Sequence, residues 1–564
     1  MKKYTLLLLT ILANISIISA TDNEVATEIK STDTTVEATT KNISEPETIV
    51  VSWNDLINNT NSYIGYEVEI HDTLYIISVQ NWNKYGEVEL SNERQMTPTD
   101  VALPGSTEYN TILNRNNTNR IVLSDGLSGI YPNPRPWIDA DGTCRTGSYT
   151  TLLKGRIASS WNGYSITPTA TPVFTGNRRP TTVTGLGNYN LKVCSYNLRY
   201  YLASNYGNGY GPDDEADAEK QHNKIIKSLE AIDADIYGLI EVQLGQEALA
   251  KITNALNALN NGKHYSYIDD GTKVNGTYTK VGFVYRDDLL EPLRQIQSNN
   301  TGVNNRKKGQ GFKMKSNNEQ IVIMINHFKA KSGQGSNDNA DIGDGQGSYN
   351  GDRVREATAL VTFAQSCARY FGDNDIIIMG DLNAYSQEDP IRVITDAGYT
   401  NLIKKYGGEK AYSYVFGGNI GCLDHALTNP SLTAQTTGCQ VFHINADESS
   451  AFDYYGYSYN DDMYRSSDHD PVVIGFNLNS TTTGIETENS EQSAIIYGEN
   501  NIIGISNAYN STMMLYDVNG KILFNTTIET YDYTLDVSTL TNGVYIIQLI
   551  DTNGDIQTLK LIRR

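Results

Sequence analysis

Between residues 190 and 478, short apolar runs alternate with amphipathic stretches. Leu191–Leu198 reads as a strand. In the next segment His222, Ile225, Ile226, Leu229 and Ile232 recur at helical spacing and predict one buried helix face. Asp235–Val242 is apolar almost throughout and predicts a buried strand. The alternation continues with strands at 281–286 and 321–328, a helix at 353–370, and strands at 375–380, 422–428 and 471–477. Strands interleaved with helices in one long segment predict an α/β sandwich.

The flanks differ. Residues 48–180 alternate apolar and polar positions, as in Tyr66-Glu67-Val68-Glu69-Ile70 and Gly86-Glu87-Val88-Glu89-Leu90, with weak helical periodicity. A compact β-barrel of the OB type fits. Residues 495–564 read as a small β-sandwich. Met514–Ile522 carries an Asn519-Gly520 turn signal, and Val544–Ile550 is a second strong strand. Polar stretches at 181–189 and 479–494 read as linkers, and 21–47 as a disordered spacer. Met1-Lys2-Lys3 followed by an uncharged run to Ala20 has the form of a secretory signal peptide, too short to span a bilayer. No other stretch predicts an integral membrane segment.

Composition adds little to this division. A chain of 564 residues predicts two to four domains, and 38 tyrosines with many Asn and Gly suit strands and long loops. The net charge of −21 disfavours a polyanion partner, but distribution matters more than the sum. Residues 306–331 carry Arg306, Lys307, Lys308, Lys313, Lys315, Lys329 and Lys331 against Glu319 alone. Such a window fits either a phosphate-facing patch or a solvated loop. Five cysteines leave at least one thiol unpaired. A turn at Pro430-Ser431 would set Cys422 opposite Cys439 in a hairpin, which fits a disulfide or two buried thiols.

The chemistry concentrates at strand ends. Asn197 ends the first strand, Glu241 an otherwise apolar one, and His327 another. Asp381 and Asn383 follow Ile376–Met379 at period-two spacing, and Asp468-His469 immediately precedes the last strand. An unpaired charge at the end of a buried strand is costly, and one such case is usually a salt bridge. Five point to a shared polar cleft. Carboxylate and amide oxygens suit a hard divalent cation such as Mg²⁺ or Mn²⁺, and imidazoles move protons or stabilise a pentacoordinate phosphate. Attack of water on a phosphodiester needs that combination.

The order Asn197, Glu241, His327, Gly380-Asp381-Leu382-Asn383, Leu423-Asp424-His425 and Ser467-Asp468-His469-Asp470-Pro471 resembles the endonuclease/exonuclease/phosphatase superfamily over 190–478. The resemblance implies a four-layer, DNase-I-like α/β sandwich. Asn326–Lys331, Gly343–Gly347, Glu388-Asp389-Pro390 and His443–Glu448 resemble its bacterial extracellular nucleases. It implies Glu241 as principal metal ligand, aided by Asn197 and Asp468. Asp381 would activate water, and Asn383 would hold the phosphate. His469, oriented by Asp424, would contact that phosphate, and His327 would serve the leaving-group side. Tyr285, Arg353 and Lys329 are further phosphate candidates. Tyr285 also reads as a core tyrosine and Arg353 as a surface helix arginine. The acid that orients the equivalent of His327 in such enzymes is missing; Thr279 and Lys280 stand nearby instead. The loop Gly333–Gly351 offers Asp338, Asp341 and Asp344 to a structural Ca²⁺, or is flexible and disordered.

The flanks add partners. Thr73–Ser91 and Pro98–Gly105 resemble the OB-like domain in front of extracellular nucleases, where Trp82, Tyr85 and Trp161 would stack on bases or pack a core. Leu515–Gly520, Leu535-Asp536-Val537, Leu540, Gly543-Val544-Tyr545 and the basic end Lys560–Arg564 resemble a type IX secretion sorting domain, which implies export and a secreted or surface protein. The expected activity is cleavage of DNA or RNA. A phosphatase or phospholipase on the same fold, or a non-catalytic nucleic-acid-binding surface protein, are the alternatives.

Overall fold

The structure is a computed structural model. It describes residues 48–479 apart from 161, 162 and 277, and residues 495–563 apart from 500, 501, 507, 531, 542 and 552–555. The expected leader, the spacer 21–47, Trp161 and all but the first residue of the linker 479–494 lie outside the described residues. One compact unit comprises Met1–Lys313 and Gln320–Phe476, the second Met314–Glu319 and Asn477–Arg564.

Two six-stranded sheets form the centre of the first unit. One runs in the order Tyr265–Tyr267, Thr279–Arg286, Ile236–Gln243, Leu191–Tyr201, Val472–Phe476, Thr436–Val441. The other runs Leu290–Ser298, Lys307–Met314, Gln320–His327, Ile376–Asp381, Asp424–Thr428, Thr400–Asn401. The sheets meet face to face, so closely that a Cβ on Gly238 would lie 2.4 Å from Met379 Cε. Helices Glu215–Ile232 and Glu247–Ala258 bury Ile225, Leu229, Ile232, Leu249 and Ile252 against Tyr196, Tyr237 and Leu239 of the first sheet. Helix Asn350–Phe371 lays Leu360, Ala364 and Phe371 on Val322, Met324 and Ile378 of the second. The result is the expected four-layer α/β sandwich. Burying a Leu or Ile side chain contributes roughly 1.5–3 kcal/mol, so each outer helix is held chiefly by its apolar stripe.

The N-terminal region is an eight-stranded, mostly antiparallel sheet over a core that includes Trp53, Leu56, Ile76 and Trp82. Its helix Thr107–Thr118, capped by Ser106, was invisible to periodicity because only Tyr109 and Asn116 are buried. The linker expected at 181–189 is packed: Leu186 is buried in the sandwich core, and its carbonyl accepts from Thr437 Oγ1 at 2.6 Å. The second unit holds a three- and a four-stranded sheet around Ile503, Met513, Leu515 and Ile547.

The hairpin proposed to pair Cys422 with Cys439 does not form. Helix Pro430–Gln435 separates their strands into different sheets, and all five cysteines are free and buried.

Candidate active site

Register assembles the site. In the second sheet His327 lies opposite Asp381 in a parallel pair, and Asp381 lies opposite Asp424 in an antiparallel one. Three strands therefore deliver His327, Asp381 and Asp424 to one level. Gly380 permits this. At φ 137°, its Cβ would lie 2.0 Å from Asn326 O. In the first sheet Asn197 pairs with Ile240, beside Glu241. The strand after Asp468-His469 is antiparallel to the Asn197 strand, so the chain reaches the same end before entering it. Ser467 Oγ fixes the approach by donating to Asn197 O at 2.7 Å.

The backbone bends where the chemistry sits. Arg199, Tyr200, Glu241 and Asn383 have φ of 52°, 53°, 59° and 48°. A non-glycine residue held there costs roughly 1–3 kcal/mol. Both central strands of the first sheet bulge at this level. The bulge turns Tyr200 N–H onto Glu241 Oε2 at 2.9 Å.

Asn197 bridges the two sheets, its Nδ2 donating to Asp381 Oδ2 at 3.1 Å and reaching Glu241 Oε1 at 3.4 Å. His327 Nε2 is 3.6 Å from Glu241 and 3.7 Å from Asp381. His469 Nδ1 is 2.8 Å from Asp424 Oδ2, while its Nε2 faces Asp381 Oδ2 at 3.9 Å. Ser413 Oγ donates to Asp424 Oδ2 at 2.9 Å, and the Tyr414 ring lies 4.6 Å from the His469 ring. Asn383 donates its backbone N–H to Asp381 Oδ1 at 2.9 Å and its Nδ2 to Phe328 O at 3.1 Å. Asp468 stands aside, 3.8 Å from Arg199 Nε, and with Glu241 it reaches solvent.

These surroundings set the charges. Burial pushes the Asp381 carboxyl up, and neighbouring Asp424 and Glu241 add to the push against His469. Burial likewise raises Glu241, with Asp468 adding to it. Burial lowers His327 far below the ordinary imidazole value, helped by Arg306 and His469, so its ring is neutral. Burial would also lower His469, but Asp424, Asp381 and Asp468 outweigh it and keep the ring an imidazolium.

Among the described residues, two groups bring carboxylate and imidazole ligand atoms within 4.8 Å of one another: Glu241, His327, Asp381 and Asp381, Asp424, His469. The second is satisfied internally, because a protonated His469 bound to Asp424 has no lone pair to offer. The first is not. Glu241 and Asp381 are crowded, desolvated oxygen donors with no Lys or Arg in hydrogen-bond contact, and this donor set fits a hard divalent cation.

The other expectations fare unevenly. Tyr285 lies opposite Ile236, at the far end of its strand from Glu241, and packs on Phe312. Arg353 is neither surface arginine nor phosphate ligand; it is fully buried and donates to Ser348 O and Gln346 O at 2.8 and 2.7 Å. Lys329 sits over the Tyr349 ring, 4.2 Å from its centroid. The basic window is largely neutralised: Lys307 by Glu356, Lys308 by Asp270, Lys313 by Glu291 and Lys331 by Glu388. Arg306 turns its charge towards Glu241, His327 and Tyr200, and Lys307 adds to its effect on His327. The three loop aspartates do not gather into a calcium site: Asp338 pairs with Arg355 and Asp344 binds Gln346. Trp82 is a core residue, 1% exposed, while Tyr85 is exposed.

Sequence reading missed Ser413, Tyr414, Tyr200 and the Arg199–Asp453 pair. Only Tyr200 had a local signal, standing three residues after Asn197.

Residues 194–469 match the Endonuclease/Exonuclease/phosphatase family, and residues 499–564 match the secretion system C-terminal sorting domain. The chain carries a hydrolase domain of that family, whose members generally depend on a divalent metal, and a domain that directs secretion to the cell surface or beyond. No curated protein matches the chain. Similar solved structures include an endonuclease/exonuclease/phosphatase from Bacteroides vulgatus (14% identity, 51% of this chain and 99% of that one, TM-score 0.35). A mannosyl-6-phosphatase from Bacteroides thetaiotaomicron is 18% identical over 50% of this chain and 98% of its own, with TM-score 0.34. A 3′ phosphatase from Neisseria bound to a product DNA hairpin is 16% identical over 51% and 99%, also with TM-score 0.34. No helix among the described residues is long and apolar enough to cross a membrane.

Proposed function

We propose that this protein is a secreted phosphodiesterase that cuts nucleic acid with the help of Mg²⁺ or Mn²⁺. The observation that carries the reading is the pairing of opposites at one level of the sandwich. A fixed imidazolium, His469 on Asp424, faces a carboxylate, Asp381, whose pKa burial has raised into the range of a useful base. Asp381 accepts a proton from the attacking water. His469 donates through Nε2 to a phosphate oxygen as negative charge develops there. Asn383 and Asn197 offer amide groups that orient phosphate and water. Neutral His327 is placed to offer its remaining N–H as a hydrogen bond to the leaving oxygen, which takes its proton from water. Glu241, with Asn197 and the Asp468 carboxylate behind it, would hold the cation, which when bound neutralises charge on the phosphate.

The surroundings of the site favour a substrate with stackable bases. Tyr200 and Tyr210 stack at 5.1 Å beside Glu241, with Tyr210 56% exposed. Exposed Tyr455 accepts from Arg199, next to Asp468, and Phe416 is 69% exposed two residues beyond Tyr414. Bases stack on such rings at about 1–3 kcal/mol each. The N-terminal sheet would then be an OB-like accessory to nucleic-acid binding.

A second reading, a phosphatase for small phosphate esters, is favoured by the internal neutralisation of the 306–331 window, which leaves little positive surface for a polyanion. The test is a single panel of plasmid DNA, RNA, sphingomyelin and a sugar phosphate against Mg²⁺, Mn²⁺ and Ca²⁺. Cleavage of plasmid or RNA upholds the first reading. Intact nucleic acid with released phosphate overturns it in favour of the second.

A further inference from the structure

Residues 95–100 leave the N-terminal sheet and enter the hydrolase domain. Gln95–Met96 pairs in parallel with Asn419–Ile420, and Thr97 N–H continues the pairing to Ile420 O at 2.8 Å. Gln387 N–H donates to Thr99 O at 3.0 Å, and Thr99 Oγ1 donates to Glu388 at 2.8 Å. Asp100 is fully buried at the end of this segment. Its Oδ1 accepts from Ser386 N–H at 3.1 Å, Ser386 Oγ at 2.7 Å and Cys422 N–H at 3.3 Å. Its Oδ2 accepts from Lys404 Nζ at 2.6 Å.

The partners of Asp100 matter because of their neighbours in the chain. Ser386 stands three residues after Asn383 and Cys422 two residues before Asp424. The same two loops touch each other once more, through Leu382 N–H on Leu423 O at 2.9 Å. Ser413, which holds Asp424, is itself tied to Gly421 O at 3.1 Å. One carboxylate from the N-terminal module is therefore the shared acceptor for the two loops that place Asp381 with Asn383, and Asp424 with His469. A docking contact between domains needs no such placement. Charge-assisted hydrogen bonds to a buried carboxylate are strong and directional.

We infer that Asp100 is a positioning residue for the hydrolytic centre, and that the N-terminal module acts through the placement of Asp381 and the Asp424–His469 pair. The inference rests on reading this centre as hydrolytic, not on which phosphate ester it cuts. It separates the module from a simple substrate-binding accessory, whose loss raises KM and leaves the chemical step alone.

The experiment uses the full chain and two substrates, plasmid DNA and bis(p-nitrophenyl) phosphate, the latter too small to engage a distant binding face. Asp100→Ala is expected to lower kcat about tenfold or more on both, since small misplacements of reacting groups are costly. KM should stay within about twofold. Asp100→Asn keeps an oxygen for Ser386 and Cys422 and should recover most of kcat. Leu56→Ala, a truncation in the core of the same module, should lower Tm while leaving kcat within about twofold. Should Asp100→Ala not fold, Ser386→Ala removes one donor to Asp100 and should show the same split at smaller size. A rise in KM with unchanged kcat, no recovery in Asp100→Asn, or an equal kcat loss in Leu56→Ala overturns the inference. If the unmodified chain hydrolyses neither substrate, the phosphodiesterase reading fails separately. The ¹⁵N-histidine spectrum then decides on positioning. The hydrogen-bonded Nδ1 proton of His469 should be lost or shifted in Asp100→Ala, and an unchanged signal overturns the inference.

Discussion

Asp447 and Asp381 are both buried aspartates of the same compact unit, and their surroundings treat them in opposite ways. Asp447 sits where the N-terminal module meets the hydrolase domain. It accepts from Arg94 Nη2 at 2.9 Å, Thr146 Oγ1 at 2.5 Å, and Asn177 and Tyr412 at 2.7 Å each. Burial would raise its pKa, but Arg94, Arg145 and His443 outweigh it and hold the carboxyl well below the ordinary range. Asp381 has burial without an arginine in contact, and its pKa rises. Glu448 and Glu241 differ in their contacts in the same way. Arg179 grips Glu448 with two bonds of 2.9 and 2.7 Å, whereas Glu241 has one backbone N–H and an amide. Buried charge that is matched holds domains together. Buried charge left unmatched is available for a cation and for proton transfer.

His469→Ala should lower kcat by about 100- to 1,000-fold, as loss of a donor aimed at developing charge does. Asp381→Asn should lose a comparable amount, about 100-fold or more, as loss of a general base does. His469→Ala should also lower Tm, because it strands the buried Asp424 carboxylate. Asp381→Asn should not, because it relieves crowding among carboxylates; a falling Tm would place Asp381 with the structural set. Asp447→Ala should do the reverse in stability, costing about 3–5 kcal/mol in a denaturant titration by stranding Arg94 and Arg145. A loss below about 1 kcal/mol would show that the seam is not held by charge.

Glu241→Gln should raise the metal concentration for half-maximal activity by about tenfold or more, with Tm unchanged or higher. An unaltered metal dependence would remove Glu241 from the cation site. The smallest effect is on the pH dependence of stability in chelator. Asp381, raised to about 7, takes up a proton more readily folded than unfolded, so its penalty is relieved as pH falls from 7 towards the unfolded value of about 3.9. Asp447 is depressed, so its contribution is complete above about 3.9 and is lost as pH falls through its lower folded value. Neutral His327 works the other way below about pH 6.5, so Asp381 is read by difference: the Tm advantage of Asp381→Asn over the unmodified protein should shrink from about pH 7 to 5, and Asp447→Asn should flatten the drop below about pH 4. An advantage that does not shrink would contradict the assignment of Asp381.

Much of the site was legible because its residues end strands. The apolar runs before Glu241, His327 and Asp381 marked both the element and its polar end, and period-two spacing put Asp381 and Asn383 together. What escaped were partners brought in across the sequence. Ser413 and Tyr414 reach Asp424 and His469 from a short hairpin whose placement depends on Gln95–Met96, more than three hundred residues earlier. The charge of residues 306–331 misled because Asp270, Glu356 and Glu388, which neutralise it, lie outside the window. The Cys422–Cys439 pairing failed because Pro430 begins a helix rather than a tight turn. The fold was clearer than the seams, since each helix and strand carries its own periodicity and an interface carries none.

Hydrolysis of a phosphodiester by Asp381 and the His469–Asp424 pair, with a divalent cation at Glu241, is tested by plasmid relaxation with the purified protein in Mg²⁺ or Mn²⁺, run beside His469→Ala and beside chelator. The unmodified protein with metal should nick the plasmid, and both other lanes should keep it supercoiled. Equal nicking by His469→Ala, or nicking that survives chelator, would contradict that assignment.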